Sequence, residues 1–128
     1  MKINCYKDLS VWQKSMKLVE ECYRFSDGFP RNEEFGLKSQ MRRAAVSIPS
    51  NIAEGNARCS SGEYRQFLSI ALGSAAELEA QIELARRLGF LPEAQARLLS
   101  EECQEIGRML YGLRAAITKR LPAHSPRP

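Results

Sequence analysis

Ser47, Ser50, Asn51 and Glu54 lie close together around Pro49 in the run Gln40-Met41-Arg42-Arg43-Ala44-Ala45-Val46-Ser47-Ile48-Pro49-Ser50-Asn51-Ile52-Ala53-Glu54-Gly55. A serine hydroxyl becomes a nucleophile only with a base within hydrogen-bond reach. Glu54 is the best candidate for that base, because the one histidine, His124, stands among prolines near the C-terminus. A structural role competes with this one and is preferred. Pro49 has no N–H, so the carbonyl of Ala45 loses its helical partner and the helix should kink. The side chains of Ser47, Ser50 and Asn51 then serve the freed backbone groups, and Glu54 accepts from that backbone or pairs with an arginine. Ser47, Pro49, Asn51 and Glu54 are therefore assigned to a structural kink, and no catalytic residue is named.

Other chemistry finds no residues. The Glu-x-x-His pairs of carboxylate-bridged metal bundles are absent. Cys5, Cys22, Cys59 and Cys103 contain no Cys-x-x-Cys zinc pair, and Gly36, Gly55, Gly62 and Gly73 fit no Gly-x-x-x-x-Gly-Lys phosphate loop. The expectation is no cofactor, no metal and no enzymatic activity.

The elements that carry these residues are read from periodicity. Leu37, Met41, Ala44, Ile48, Ile52 and Gly55 recur every three or four residues, one face of a helix. That second helix follows Asn32, takes Glu33 and Glu34 in its first turn, and runs through the kink to about Arg58. The first helix starts at Asp8 as N-cap and ends near Phe25, with a seam of Leu9, Trp12, Met16, Val19 and Tyr23. The third opens with Ser60 as cap and Glu63 three residues on, and Gly89 stops it. Its seam is Tyr64, Leu68, Ala71, Ala75, Leu78, Ile82 and Ala85. The fourth begins at Pro92, packs through Leu99, Cys103, Ile106, Leu110, Leu113 and Ile117, and ends before Pro122. Alternating spacings of three and four predict an all-α, antiparallel up-down-up-down four-helix bundle with a proline-kinked second helix. It forms one domain over residues 1–121, with 122–128 as a flexible proline-containing tail. The small residues Gly73-Ser74-Ala75-Ala76 fit close approach to another helix, across the kink of the second.

Two helices carry a second apolar stripe. On the third it contains Phe67, Ile70, Leu84 and Leu88; on the first, Val11, Leu18, Cys22 and Phe25. These eight are the oligomer-interface candidates. Helices 1 and 3 are diagonal in such a bundle, so their outer stripes face different ways. Two unlike sticky faces make heterologous contacts, which close into a ring or grow without limit. The alternative is that broad stripes only thicken the core of the monomer.

The same residues resemble a known family. The run Gln40 to Gly55, with Phe29-Pro30, Glu34, Gly36 and Leu37 before it and Gly73-Ser74-Ala75-Ala76-Glu77-Leu78-Glu79 after it, is similar to the four-helix-bundle 23S rRNA-intervening-sequence proteins. The likeness spans about residues 7 to 117. It implies a bacterial cytosolic protein and a ring-shaped, pentameric oligomer, and it implies no enzyme. A related branch of the family serves as accessory proteins of diversity-generating retroelements.

The chain carries thirteen arginines and six lysines against fifteen acids, a net charge of +4. From Arg108 onward there are five cations and no acid, which matches the dipole of the fourth helix. Arg42, Arg43, Arg58, Arg65, Arg86, Arg87, Lys119 and Arg120 are the candidates for contact with nucleic-acid phosphates, since arginine donates two parallel hydrogen bonds to a phosphate. Trp12, Tyr23 and Tyr64 are assigned to seams, so no aromatic base-stacking surface is expected. The leading function is a non-enzymatic ring-forming module, homopentameric as the resemblance implies, that binds RNA or a nucleic-acid-handling partner. The alternative is a protein–protein scaffold or accessory subunit; a small-molecule pocket at the kink is a third possibility. No segment approaches the ~20 apolar residues of a membrane span, and four widely spaced cysteines suit reduced thiols in a cytoplasm.

Overall fold

A computed structural model of the chain describes residues 5–58 and 60–120. The tail 122–128, His124, Cys59 and the side chain of Arg120 lie outside the described residues. Four α-helices and two short 3-10 turns account for the secondary structure, and the described residues contain no strand. The helices are α1 (Ser10–Ser26), α2 (Leu37–Asn56), α3 (Ser61–Arg87) and α4 (Glu93–Arg120).

Local chemistry sets most boundaries. The Ser60 hydroxyl accepts from Glu63 N–H at 3.0 Å, capping α3 where the sequence places the cap. At its other end the Gly89 N–H donates to Arg86 C=O at 3.0 Å and the Phe90 N–H to Ala85 C=O at 2.9 Å. This reciprocal pair needs a left-handed residue between helix and exit, and Gly89 supplies it with φ 81°. Two starts differ from expectation. Asp8 ends a 3-10 turn, Tyr6–Asp8, and α1 begins at Ser10 with no side-chain cap. After Pro30 the chain makes a second 3-10 turn, Arg31–Glu33, and α2 waits until Leu37, whose N–H donates to Glu33 Oε1 at 3.0 Å. At this corner buried Phe29 packs on Phe90 with ring centroids 5.5 Å apart.

Packing runs around a cycle. Helix α1 meets α2 and α4, and α3 meets the same two, while no Cα of α1 comes within 8 Å of one in α3. Between α2 and α3, Ser47 faces Ser74, and Gly55 faces Tyr64 and Phe67. Between α3 and α4, Glu79 holds Ser100 and Gln104, whereas Ser69 holds Arg114. The seams expected for α2, α3 and α4 are the buried ones: Met41, Ile48, Ile52, Leu68, Leu78, Ile82, Leu99, Ile106, Leu110 and Ile117 are wholly enclosed. Truncating one such leucine or isoleucine to alanine typically costs about 2–5 kcal/mol.

Helix α1 is a correction. Its inward face is Val11, Ser15, Leu18 and Cys22, with Leu18 and Cys22 at 0% exposure. Leu9, Trp12, Met16 and Val19 are only partly buried, and Tyr23 is exposed. Both stripes obey the same spacing, so periodicity cannot rank them. Close approach decides: Ser15 and Cys22 are small enough to sit in the seam, with the Ser15 hydroxyl satisfied by Trp12 C=O at 2.8 Å. The bulky aromatic stays at the rim, where Trp12 packs edge-on to Tyr6 with centroids 5.2 Å apart.

Candidate functional site

The proline-containing run of the sequence sits where α2 packs on α3. Pro49 is buried inside α2. The Asn51 amide donates to Ser47 C=O at 2.8 Å and to Ser47 Oγ at 3.0 Å, and that hydroxyl meets Ser74 Oγ at 2.7 Å. The polar side chains therefore tie Ser47 to α3 and serve the Ser47 carbonyl, and none of these hydrogen bonds goes to the Ala45 carbonyl. Of the small patch in α3, Ser74 meets α2 through Ser47 and Ala75 is buried, whereas Gly73 and Ala76 are exposed. Glu54 accepts from the Arg58 guanidinium at 2.7 Å, one turn on. Ser47 thus contacts a hydroxyl and an amide, neither of which takes up a proton near neutrality. A groove of about 180 Å³ opens beside it, lined by Gln40, Arg43, Ala44, Ser47, Ser74 and Glu77.

The basic candidates scatter, and four of the eight, Arg42, Arg58, Arg86 and Arg87, are engaged within the chain. Arg42 donates from Nε to Ser26 Oγ at 2.8 Å and from Nη2 to Tyr23 C=O at 2.9 Å, and its guanidinium carbon stands 4.4 Å from the Tyr23 ring centroid. Arg58 is held by Glu54 and lies over the Phe67 ring at 4.9 Å. Arg86 and Arg87 both donate to Glu83, and Arg86 also approaches Glu93 at 3.9 Å. The Arg86 and Arg87 hydrogen bonds hold the Glu83 carboxyl down at about 2. Arg43, Arg65 and Lys119 form no ion pair among the described residues, and Arg43 and Lys119 are exposed.

The interface candidates divide. Val11, Leu18 and Cys22 belong to the monomer core and present no outer face, because α1 turns that stripe inward. Phe25 and Phe67 are half-buried. Ile70, Leu84 and Leu88 stand out from α3 with 51%, 48% and 53% of their surface exposed. Sequence reasoning missed a further apolar spot. Phe35, 95% exposed, joins Tyr23 and Val46 around a groove of about 520 Å³ that also holds Arg43. Phe35 lies in a turn, outside any periodic stripe, so no spacing announces it. Among the described residues no group of three or more His, Cys, Asp or Glu is placed to hold a metal ion, and no helix is long and apolar enough to cross a membrane.

The family model described as 23S rRNA-intervening sequence protein matches residues 7–112. The chain belongs to that family. A crystal structure of a protein of unknown function from the S23 ribosomal protein family of Bacteroides thetaiotaomicron is similar to it at 27% identity and a TM-score of 0.74. The alignment covers 81% of this chain and 97% of that one. No curated protein matches the chain. Within the 23S rRNA-intervening sequence family, then, this member offers exposed apolar side chains on α3, and Arg42, Arg58, Arg86 and Arg87 are engaged inside the chain.

Proposed function

We propose that this chain is a non-enzymatic helical module that assembles with copies of itself into a ring, a homopentamer in the form the family resemblance implies. The fold proposed for each subunit is an up-down-up-down antiparallel bundle bent at Pro49, in a bacterial cytoplasm. The observation that carries the reading is the line of Ile70, Leu84 and Leu88 on the outer face of α3. Ring closure needs a second, unlike patch. The helix-1 stripe no longer supplies it, but the Phe35, Tyr23 and Val46 groove does, at another part of the surface. Internal pairing of Arg42, Arg58, Arg86 and Arg87 favours a scaffold over a phosphate-binding face.

Light scattering on the purified protein tests this. A multimer that becomes a soluble, fully helical monomer in the Ile70→Asp/Leu84→Lys double variant supports it. A wild-type monomer at tens of micromolar overturns it.

A second reading is RNA binding, favoured by Arg43, Arg65 and Lys119, which no acid of the described residues neutralises, and by the family's description. Filter binding at two salt concentrations separates the readings: phosphate contacts lose affinity steeply with salt, and Arg43→Ala with Arg65→Ala should abolish them.

A further inference from the structure

Two glutamates face each other across the seam between α1 and α4. Glu21 on α1 is 6% exposed, and Glu102 on α4 is partly buried. Each has its Oε1 enclosed with no hydrogen-bond partner among the described residues. Lys17, one turn before Glu21 on α1, brings its Nζ to 4.0 Å from Glu102 Oε2, which sets the two carboxyl groups side by side on the seam.

Two ionised carboxylates are acceptors only and repel at such a distance. What they lack is a donor between them. Lysine does not provide it fully: Lys17 Nζ reaches only Glu102 Oε2, at 4.0 Å, and Lys14 is taken by Glu105 at 3.4 Å. A metal ion suits the place poorly, because the adjoining cavity of about 100 Å³ is lined by both lysines and no third ligand joins the pair. A single proton satisfies both orphan oxygens.

We propose that Glu21 and Glu102 share one proton in the folded protein, making the α1–α4 seam a pH-sensitive contact that loosens when the proton leaves. The surroundings agree. Burial first, then the hydrogen bond and charge of Glu21, push the Glu102 carboxyl up to about 7, with Lys17 opposing and Glu105 adding to the rise. Beside the pair lie two thiols: after burial, Cys22 of α1 feels both glutamates and Arg42 of α2, and Cys103 of α4 feels Cys22, Glu79 of α3 and Glu102. The pair lies inside one chain, so it is independent of assembly.

The folded Glu102 keeps its proton to higher pH than its ordinary value of 4.5. The stability this pair contributes is therefore complete below that value, falls as pH rises to about 7, and is flat beyond.

The test is melting temperature against pH, from about 5 to about 8, for wild type, Glu102→Gln and Glu21→Gln, with a carbon-13 titration of the wild-type glutamates. A glutamine amide keeps a donor in place at every pH, so both variants should lose at least half of the wild-type fall in melting temperature. In the wild type one glutamate should titrate near neutrality. Equal slopes in wild type and both variants overturn the proposal, as does the absence of any glutamate titrating above about pH 6. The titration needs no variant, so a misfolded mutant does not shield the proposal.

Discussion

The Nε of Arg42 donates to the hydroxyl of Ser26 at 2.8 Å, joining α2 to the last residue of α1. Ser26 is fully buried, and the same guanidinium satisfies Tyr23 C=O while lying over the Tyr23 ring. One side chain thereby serves the exposed end of α1 three ways. That occupation leaves little of Arg42 for a phosphate.

Arg42→Lys should destabilise the fold, since an ammonium cannot reproduce the fork or the stacking. The expected loss is about 1.5–3 kcal/mol, the range for hydrogen bonds to a charged group, read from urea unfolding followed by circular dichroism. An unchanged midpoint would mean the arginine is not a structural clamp.

Gly55→Ala should also destabilise. A Cβ at Gly55 would stand 2.8 Å from Phe67 Cβ and 3.0 Å from Tyr64 Cδ1. Both neighbours belong to α3, and the nearer atom is fixed to the backbone, so the two helices must part. Overpacking of this kind costs about 1–3 kcal/mol. Gly73→Ala is the control: nothing lies within 4 Å of its Cβ position, and better helix propensity should leave stability equal or raised by up to about 1 kcal/mol.

The thiols of Cys22 and Cys103 should be inert to a thiol reagent in the native protein at about pH 8 and react only on unfolding. Burial, then the charge of Glu102, drives the Cys22 thiol up to about 12, and burial raises Cys103 as well. Because both folded values lie above the ordinary 9.0, this contribution to stability is lost as pH climbs above that value. Prompt labelling of either residue at native stability would show that the α1–α4 seam opens readily.

Much of the architecture was legible in the residues. The buried stripes of α2, α3 and α4 coincide with the expected seams, with polar residues interrupting the second stripe of α3, and Ser60 and Gly89 mark the ends of α3 by local chemistry. Helix α1 was not legible in this way. Its two stripes share one spacing, and the choice rested on how closely Ser15 and Cys22 let α4 and α2 approach, a property of the assembled bundle. The start of α2 at Leu37 is likewise not legible, since the 3-10 turn before it follows a corner where Phe29 meets Phe90, a residue far away in sequence.

The candidate site divides along the same line. Sequence alone determined the helical class, the position of Pro49 inside a polar cluster and the excess of arginine, because composition and short-range spacing carry all three. Only the tertiary structure decided that Ser47 is bound to Ser74, that Arg42, Arg58, Arg86 and Arg87 are occupied within the chain, and that Glu21 meets Glu102. Those outcomes depend on which residue of one helix lies opposite which residue of another. That register is set by side-chain volume across the whole core, and no local pattern encodes it.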